Sequence, residues 1–205
     1  MKFTLSILAL LAIAFLVGCS AKDTSNNNKL SNSEITKLGK KYGGVYVFNK
    51  KFEKEIDDRE RERKEAIKEL KGKNLGGGLY AVDTKPVDQK FPQTLSNGKK
   101  YYTSTRSYEQ DYKKAVNVSK KYINKIINFI GQEDYNKFKP SMLLSYFYVD
   151  DNQDIVPIVV SVYYTVGYTK YGFFGDEGRG FALSRRDIKD VGGDSVFYLE
   201  DLEKQ

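Results

Sequence analysis

The sequence predicts an α+β domain: an antiparallel β-sheet packed against one long amphipathic helix, with an additional charged helix. Three observations support this prediction. Apolar residues recur at helical spacing through Ser107–Gly131, and a run of intermixed acidic and basic residues occupies Lys51–Lys71. From Met142 onwards, β-branched and aromatic residues dominate between short polar breaks. Helices and strands that are segregated along the chain are typical of the α+β class.

The N-terminus has the layout of an export signal. Lys2 supplies a positive charge, Phe3–Val17 an apolar run, and Gly18 a small residue before Cys19. The apolar run is shorter than the roughly 20 residues that a transmembrane helix needs. Residues 1–18 are therefore predicted to be a signal peptide that is removed from the mature chain.

The stretch LVGC, Leu16–Cys19, resembles the lipobox of bacterial lipoproteins. In that family a diacylglyceryl group is attached to the cysteine sulfur, the signal is cut before the cysteine, and the new amino group is often acylated too. The resemblance implies that Cys19 is lipidated and that membrane lipid is a partner, since two or more acyl chains hold a protein stably to a bilayer. The alternative is an unmodified cysteine behind a conventional signal.

The lipobox also implies an exported, membrane-anchored protein. Ser20 follows the cysteine, at the position where family members retained at the inner membrane tend to carry Asp. The resemblance therefore implies the outer membrane or the periplasmic face in a Gram-negative host. In a Gram-positive host it implies the outer leaflet of the cell membrane.

Behind the anchor, residues 19–41 are polar and rich in Asn and Ser, which predicts a flexible tether. Residues 42–205 are expected to fold as a single domain, beginning with a short β-rich run at Tyr42–Asn49. Cys19 is the only cysteine, so this domain must be stable without an intramolecular disulfide.

The charged helix is predicted over Lys51–Lys71, because oppositely charged side chains fall three and four residues apart. Its apolar residues form one narrow stripe: Phe52, Ile56, Ile67 and Leu70. Arg59 and Arg63 stand where the seam of a coiled coil would need apolar residues. The helix is therefore expected to be exposed, with one seam against the domain. Gly72 and the run Leu75–Asp83 then predict its end and a second strand.

The long helix is predicted over Ser107–Gly131. Ser107 and Gln110 match a capping box, and Gly131 suits a C-terminal stop. Its polar face carries five lysines: Lys113, Lys114, Lys120, Lys121 and Lys125. Five cations on one side of a helix are a candidate contact for an anionic envelope polymer or for lipid headgroups. The alternative is that these lysines only solvate an amphipathic helix.

The predicted sheet follows in four runs separated by polar breaks: Met142–Asp150, Ile155–Phe174, Phe181–Ser184 and Val196–Glu200. The second run is long enough for two strands. The loop Gly175–Gly180 presents Asp176, Glu177 and Arg179 at a tip, where binding residues are common. These three residues are candidate partner contacts. The alternative is a connecting loop whose glycines adopt positive φ angles.

Composition and motifs limit the possible chemistry. The chain has no histidine, which excludes His-based triads and His metal ligands. A calcium-loop start at Asp150–Asp154 has Ile155 where glycine is needed and Ser161 where a bidentate glutamate is needed. No catalytic, metal-binding or cofactor-binding residue is assigned, and no cofactor is expected.

Carboxylate-only hydrolysis needs two acids held about 5–10 Å apart, one of them desolvated. The candidates by residue type are Glu133, Asp134, Asp176, Glu177 and Asp194, and nothing in the sequence pairs them. A hydrolase that acts on envelope glycans is therefore an alternative and not the leading prediction.

The leading prediction is a lipid-anchored bacterial cell-envelope lipoprotein that serves as a non-catalytic binding or assembly module. Its partner would be a protein or an anionic envelope polymer, and the net charge of +7 is compatible with an anionic neighbour. A nucleic-acid partner is not expected, since no recognised module is present and the protein is predicted to be exported. A surface-displayed protein that contacts a host or a phage is a further alternative.

Overall fold

The computed structural model describes residues 30–178 and 180–202. Cys19, the expected signal peptide and Arg179 lie outside these ranges, so the predictions made for them stay predictions. The described chain is mixed α+β with a mostly antiparallel sheet, which confirms the predicted fold class. The single long helix is wrong, and the folded part starts earlier than predicted.

The described chain starts with intermixed helices and short strands, continues through three consecutive helices and ends mostly in strands. The helices are α1 (Asn32–Tyr42), α2 (Lys50–Lys68), α3 (Lys85–Lys90), α4 (Thr105–Tyr112), α5 (Lys120–Ile130), α6 (Gln132–Lys137) and α7 (Leu199–Leu202). The strands are β1 (Gly44–Val47), β2 (Lys73–Gly76), β3 (Leu79–Ala81), β4 (Tyr101–Tyr102), β5 (Ser141–Val149), β6 (Ile155–Asp176), β7 (Gly180–Val191) and β8 (Ser195–Tyr198).

The main sheet has the order β4-β5-β6-β1-β8, and β7 pairs with β6 beyond the end of β1. The β1–β8 pair is parallel and the others are antiparallel. β6 is 22 residues long and changes partners along its length. Its first half lies between β5 and β1, where Gly44 is opposite Val162. From Tyr164, opposite Val191, its only partner among the described strands is β7.

Successive strand residues point to opposite sides of the sheet, and each side contributes to a buried cluster. On one face, α1 and α5 contribute Ile35 and Ile126 to the larger buried cluster, beside Tyr46 of β1. On the other face, α2 contributes Ile56 to a smaller cluster with Val47. The sheet is thus the middle of three layers, with helices on both sides.

The predicted helix over Ser107–Gly131 is two helices, α4 and α5, joined by an irregular segment. α4 begins earlier than expected, with Ser104 as its N-cap. It ends at Tyr112, and its C-cap, Lys113, has a left-handed backbone with φ 55°. In the joining segment, Val118 forms a parallel bridge with Ile155 of the sheet.

The physical reason for the break lies in the sequence Val116–Ser119. Its two valines are β-branched, and its Asn and Ser bond readily to nearby backbone, so the chain extends there. The predicted capping box at Ser107 and Gln110 is wrong, since both residues lie inside α4. The predicted end at Gly131 is confirmed, and its N–H donates to the Ile127 carbonyl at 2.8 Å.

α1 occupies part of the stretch that was expected to be a flexible tether. Ser31 and Glu34 form a capping box that starts the helix, and one side of the helix is buried against the sheet. The packing is close: a Cβ on Gly39 would lie 2.6 Å from the Val191 carbonyl oxygen. Residues 31–41 of the predicted tether therefore belong to the folded domain.

α2 confirms the predicted charged helix. Ile56 is fully buried, whereas Leu70 lies beyond the helix end. The Arg63 side chain is only 11% exposed, and it donates to the Phe91 carbonyl at 2.6 Å and to Asp88 at 2.5 Å. Arg63, one of the two arginines that disfavour a coiled coil, thus joins α2 to α3 and to Phe91 just after it.

Candidate contact site: the hairpin arm

β6 and β7 continue past the body of the sheet as a two-stranded hairpin. We call residues 167–188 the hairpin arm. Gly167 lies opposite Ile188 at its base, and Gly175 lies opposite Phe181 near its tip. A strand rises about 3.4 Å per residue, so the arm is roughly 30 Å long.

The base of the arm is fixed to α1. The Asn32 side-chain amide donates to the Gly167 carbonyl oxygen at 2.6 Å. Immediately before this point, Tyr164 and Val166 are buried in the larger core cluster. Because α1 is the first described helix, the chain enters the domain beside the base of the arm.

The outer part of the arm exposes large apolar side chains, which we call the tip patch. Tyr171 is 81% exposed, Phe173 71%, Phe181 58% and Leu183 76%. The rings of Phe173 and Phe181 stack with their centroids 4.6 Å apart, so the patch is pre-formed on the arm itself. Phe173, Phe181 and Leu183 share one face of the arm, whereas Tyr171, opposite Ser184, points to the other face. Such side chains are usually buried, and a group of them exposed at one place marks an interaction site.

Charged residues occupy β7 between the tip patch and the base. Arg185 pairs with Asp187 at 3.1 Å, and the Ile188 N–H donates to the Asp187 carboxylate at 3.1 Å. The backbone hydrogen bond and then the arginine hold the pKa of Asp187 below its usual range, so this side chain is ionised at neutral pH. Asp190 accepts a hydrogen bond from the Thr165 hydroxyl at 3.0 Å.

The predicted loop residues lie at the far end of the arm. Asp176 is the last residue of β6 and Glu177 lies in the turn, so both backbone positions are at a tip as expected. Arg179 is outside the described residues. Sequence reasoning missed the tip patch, although a signal was present: Ile155–Phe174 is far longer than the 3–10 residues of an ordinary strand.

The five predicted lysines do not share one helix face. Lys120, Lys121 and Lys125 belong to α5, whereas Lys113 forms the left-handed end of α4 and Lys114 lies in the joining segment. The prediction of a single cationic face is wrong, because the break between α4 and α5 separates the residues that one helix would have aligned. The cations that share a helix are the three on α5.

Two of the acids considered for hydrolysis, Asp134 and Glu133, are paired with the same lysine. Asp134 accepts hydrogen bonds from the Tyr42 hydroxyl at 2.7 Å and from Lys137 at 2.9 Å, and both lower its pKa. Glu133 shares Lys137 at 2.8 Å. Asp194 is exposed between β7 and β8. A general acid needs a raised pKa, and the surroundings of Asp134 have the opposite effect.

Glu53 of α2 is the described carboxyl whose pKa is raised, chiefly by burial and further by its neighbour Asp57. Both acids stand on one helix, about one turn apart, and not on opposite walls of a cleft. In the part of the chain that the structure describes, no group of three acidic or other metal-ligating side chains could hold a metal ion. Glu53 and Asp57 are therefore not a facing pair of the kind that carboxylate-only hydrolysis needs.

A second, smaller hairpin also exposes apolar side chains. β2 and β3 form a separate two-stranded sheet, in which Leu75, Leu79 and Tyr80 are 62%, 67% and 61% exposed. Its turn, Gly76–Gly78, has positive φ angles at all three glycines. This hairpin is much shorter than the arm and provides a matched control for it.

Within residues 30–178 and 180–202, no helix has the length and apolar character needed to cross a membrane.

The candidate site rests on the exposure and geometry of the hairpin arm. Comparison of the chain with protein-family models, with curated proteins and with solved structures finds no match.

Proposed function

We propose that the protein is a lipid-anchored binding module of the bacterial envelope, tethered through Cys19, with the hairpin arm as its contact element. The observation that carries the proposal is the tip patch. Four large apolar side chains stand at the end of a strand pair that is exposed along most of its length. Exposed apolar groups of this kind gain free energy when a partner removes them from water.

The position of the anchor supports this role. The chain enters the domain beside the base of the arm, and ten residues separate Cys19 from Leu30. Fully extended, a segment of this length spans at most about 40 Å. The base of the arm would stay within that distance of the bilayer, and a partner bound to the arm would be held close to the membrane.

The chemistry of the tip patch favours a protein partner. Aromatic side chains in a well-packed apolar pocket are typical of the residues that dominate protein–protein binding energy. An anionic polymer would need a continuous cationic surface, and the five lysines are divided between two helices and the segment that joins them. The sequence leaves two partner classes open, a protein and an anionic envelope polymer, and the geometry supports a protein partner.

A photo-crosslinking residue at Phe173 of the full-length protein, expressed in its own envelope, tests the arm. We expect an adduct with one specific protein, and we expect Phe181→Ser with Leu183→Ser to remove it. Both side chains are exposed, so these changes leave the core intact. The control carries the probe at Tyr80 on the β2–β3 hairpin. Equal adducts from both positions, or none from Phe173, would refute the contact role of the arm.

Mass spectrometry of the N-terminal peptide tests the anchor separately. We expect the mature chain to start at Cys19 and to carry a diacylglyceryl group on its sulfur. An unmodified thiol, or a start at any other residue, would contradict lipid anchoring whatever the arm binds.

A further inference from the structure

The outer edge of β7 is open in the described chain, since β7 pairs only with β6. Two contacts show which way its backbone groups point. The Gly167 carbonyl accepts a hydrogen bond from Asn32, and the Ile188 N–H opposite donates to the Asp187 side chain. Gly167 and Ile188 therefore form a non-hydrogen-bonded pair of the antiparallel ladder. In such a pair Ile188 directs its N–H and C=O to the outer side of β7.

By the same alternation, Arg186 and Asp190 also present their backbone groups outwards. A two-stranded ribbon is marginally stable in water, and an open edge is a template for another strand. The segment Arg186–Asp190 reads basic, acidic, apolar, basic, acidic. Read backwards, it has the opposite charge at every charged position. Two antiparallel copies of this strand therefore match each other.

We propose that two copies of the protein pair through the outer edges of β7, antiparallel, with the two-fold axis at Ile188. The two Ile188 residues face each other. Arg186 lies opposite the second copy's Asp190, and Asp187 lies opposite the second copy's Lys189. β6 and β7 of the two copies then form a four-stranded antiparallel sheet around the bases of the arms, with the arms pointing in opposite directions, in a closed, symmetric dimer.

The pairing also accounts for the backbone of Ile188. Within one copy the Ile188 N–H donates to the Asp187 carboxylate. In the dimer it donates instead to the carbonyl oxygen of the second copy's Ile188. The Asp187 carboxylate then turns to the second copy's Lys189, so that each edge group has a partner across the interface.

The charges select this register over its neighbours. Antiparallel strands slide only in steps that keep outward-facing residues opposite each other, and the next register in one direction places Asp187 opposite Asp187. The next register in the other direction places Lys189 opposite Lys189. Like charges directly opposite each other destabilise a strand pair, and the proposed register has none within Arg186–Asp190.

The corresponding edge of β6 is less accessible near the base. β5 covers β6 as far as Tyr163, and Asn32 of α1 occupies the Gly167 carbonyl. On β7, by contrast, Ile188 is 70% exposed. The pairing needs neither the tip patch nor the lipid, so it does not rest on the proposed function.

Single cysteines test the pairing, because Cys19 is the only native cysteine and the wild type serves as the blank. In the proposed dimer the two Ile188 residues are a hydrogen-bonded antiparallel pair. Facing Cα atoms in such a pair are about 5.5 Å apart, within the span of a disulfide. Ile188→Cys in the full-length protein in membranes should therefore form a linked dimer under mild oxidation. In the matched control, Asp190→Cys, the two cysteines would be roughly 14 Å apart and should not link. A mixture of Arg186→Cys and Asp190→Cys chains should link again.

Charge variants give a second readout. Arg186→Asp, combined with Ile188→Cys, places like charges opposite each other at two symmetric positions and should lower cross-linking about tenfold. Adding Asp190→Arg restores the attraction and should restore the cross-link.

Four outcomes would overturn the dimer: no Ile188→Cys link, equal linking from Asp190→Cys, no rescue by the double swap, or a link from Ile188→Cys to a different protein. Each variant changes exposed residues, and circular dichroism of each variant would test whether the chain remains folded. Loss of lipidation would instead change membrane attachment and leave the cross-link in place, so the two proposals fail separately.

Discussion

Replacing Lys113 by glycine is expected to stabilise the protein, although lysine is a good helix former and glycine a poor one. Lys113 has φ 55°, a left-handed conformation that costs a residue with a side chain about 1–2 kcal/mol. Glycine avoids this cost but loses roughly 0.5–1 kcal/mol through the greater freedom of its unfolded chain. The net expectation is a gain of about 0.5–1 kcal/mol in the free energy of unfolding.

The sign of this effect tests the break between α4 and α5. In one continuous helix over Ser107–Gly131, glycine at residue 113 would instead cost about 0.7–1 kcal/mol. The matched control is Lys64→Gly in the exposed middle of α2, which should lose about the same amount. Equilibrium urea unfolding measures both changes. If both variants were destabilised equally, the left-handed end of α4 would be refuted.

Three further substitutions have defined outcomes. The Tyr164 hydroxyl is buried without a hydrogen-bond partner among the described residues, so Tyr164→Phe should raise the free energy of unfolding by about 1 kcal/mol; a loss in thermal unfolding would contradict this. Gly39→Val should cost about 2 kcal/mol in urea unfolding, because its Cβ would lie 2.6 Å from the Val191 carbonyl oxygen; an unchanged midpoint would show that α1 is not packed there. Asp134 has a pKa below its ordinary value of 3.8 in the folded state, so its stabilisation is present above that value and is lost as the pH falls through the folded pKa. The stability difference between wild type and Asp134→Asn should therefore shrink in acid, and a difference that grows as the pH falls would be inconsistent with the Tyr42 and Lys137 contacts.

Elements whose local pattern matches their final environment could be predicted from the sequence. Ion pairs such as Asp58–Arg61 and Glu65–Lys68 of α2 lie three residues apart and form within the helix, so no distant contact is needed to identify it. The end of α5 follows from the glycine at Gly131, which caps the helix through its own backbone. The α+β class follows from the separation of helical and strand-like runs.

The remaining features depend on contacts between distant parts of the chain. The apolar residues before and after Lys113 keep one helical phase, so periodicity contains no sign of the break. The poor helix formers of Val116–Ser119 permit the break, and the bridge between Val118 and Ile155 fixes the extended backbone there. α1 has few apolar residues, and its burial depends on the close approach of Gly39 to Val191. An alternating strand pattern looks the same whether or not another layer covers it, so the exposure of the arm is visible only in the structure.

The bond between Asn32 and Gly167 places the first turn of α1 at the junction where the arm leaves the sheet. Tension between the N-terminal segment and a load on the arm is therefore applied across this junction. The arm is held by hydrogen bonds distributed along β6 and β7, whereas α1 is one helix of 11 residues. We expect α1 to give way before the strands under such a load, which would separate Asn32 from Gly167 and Gly39 from Val191 while β6 and β7 stay paired.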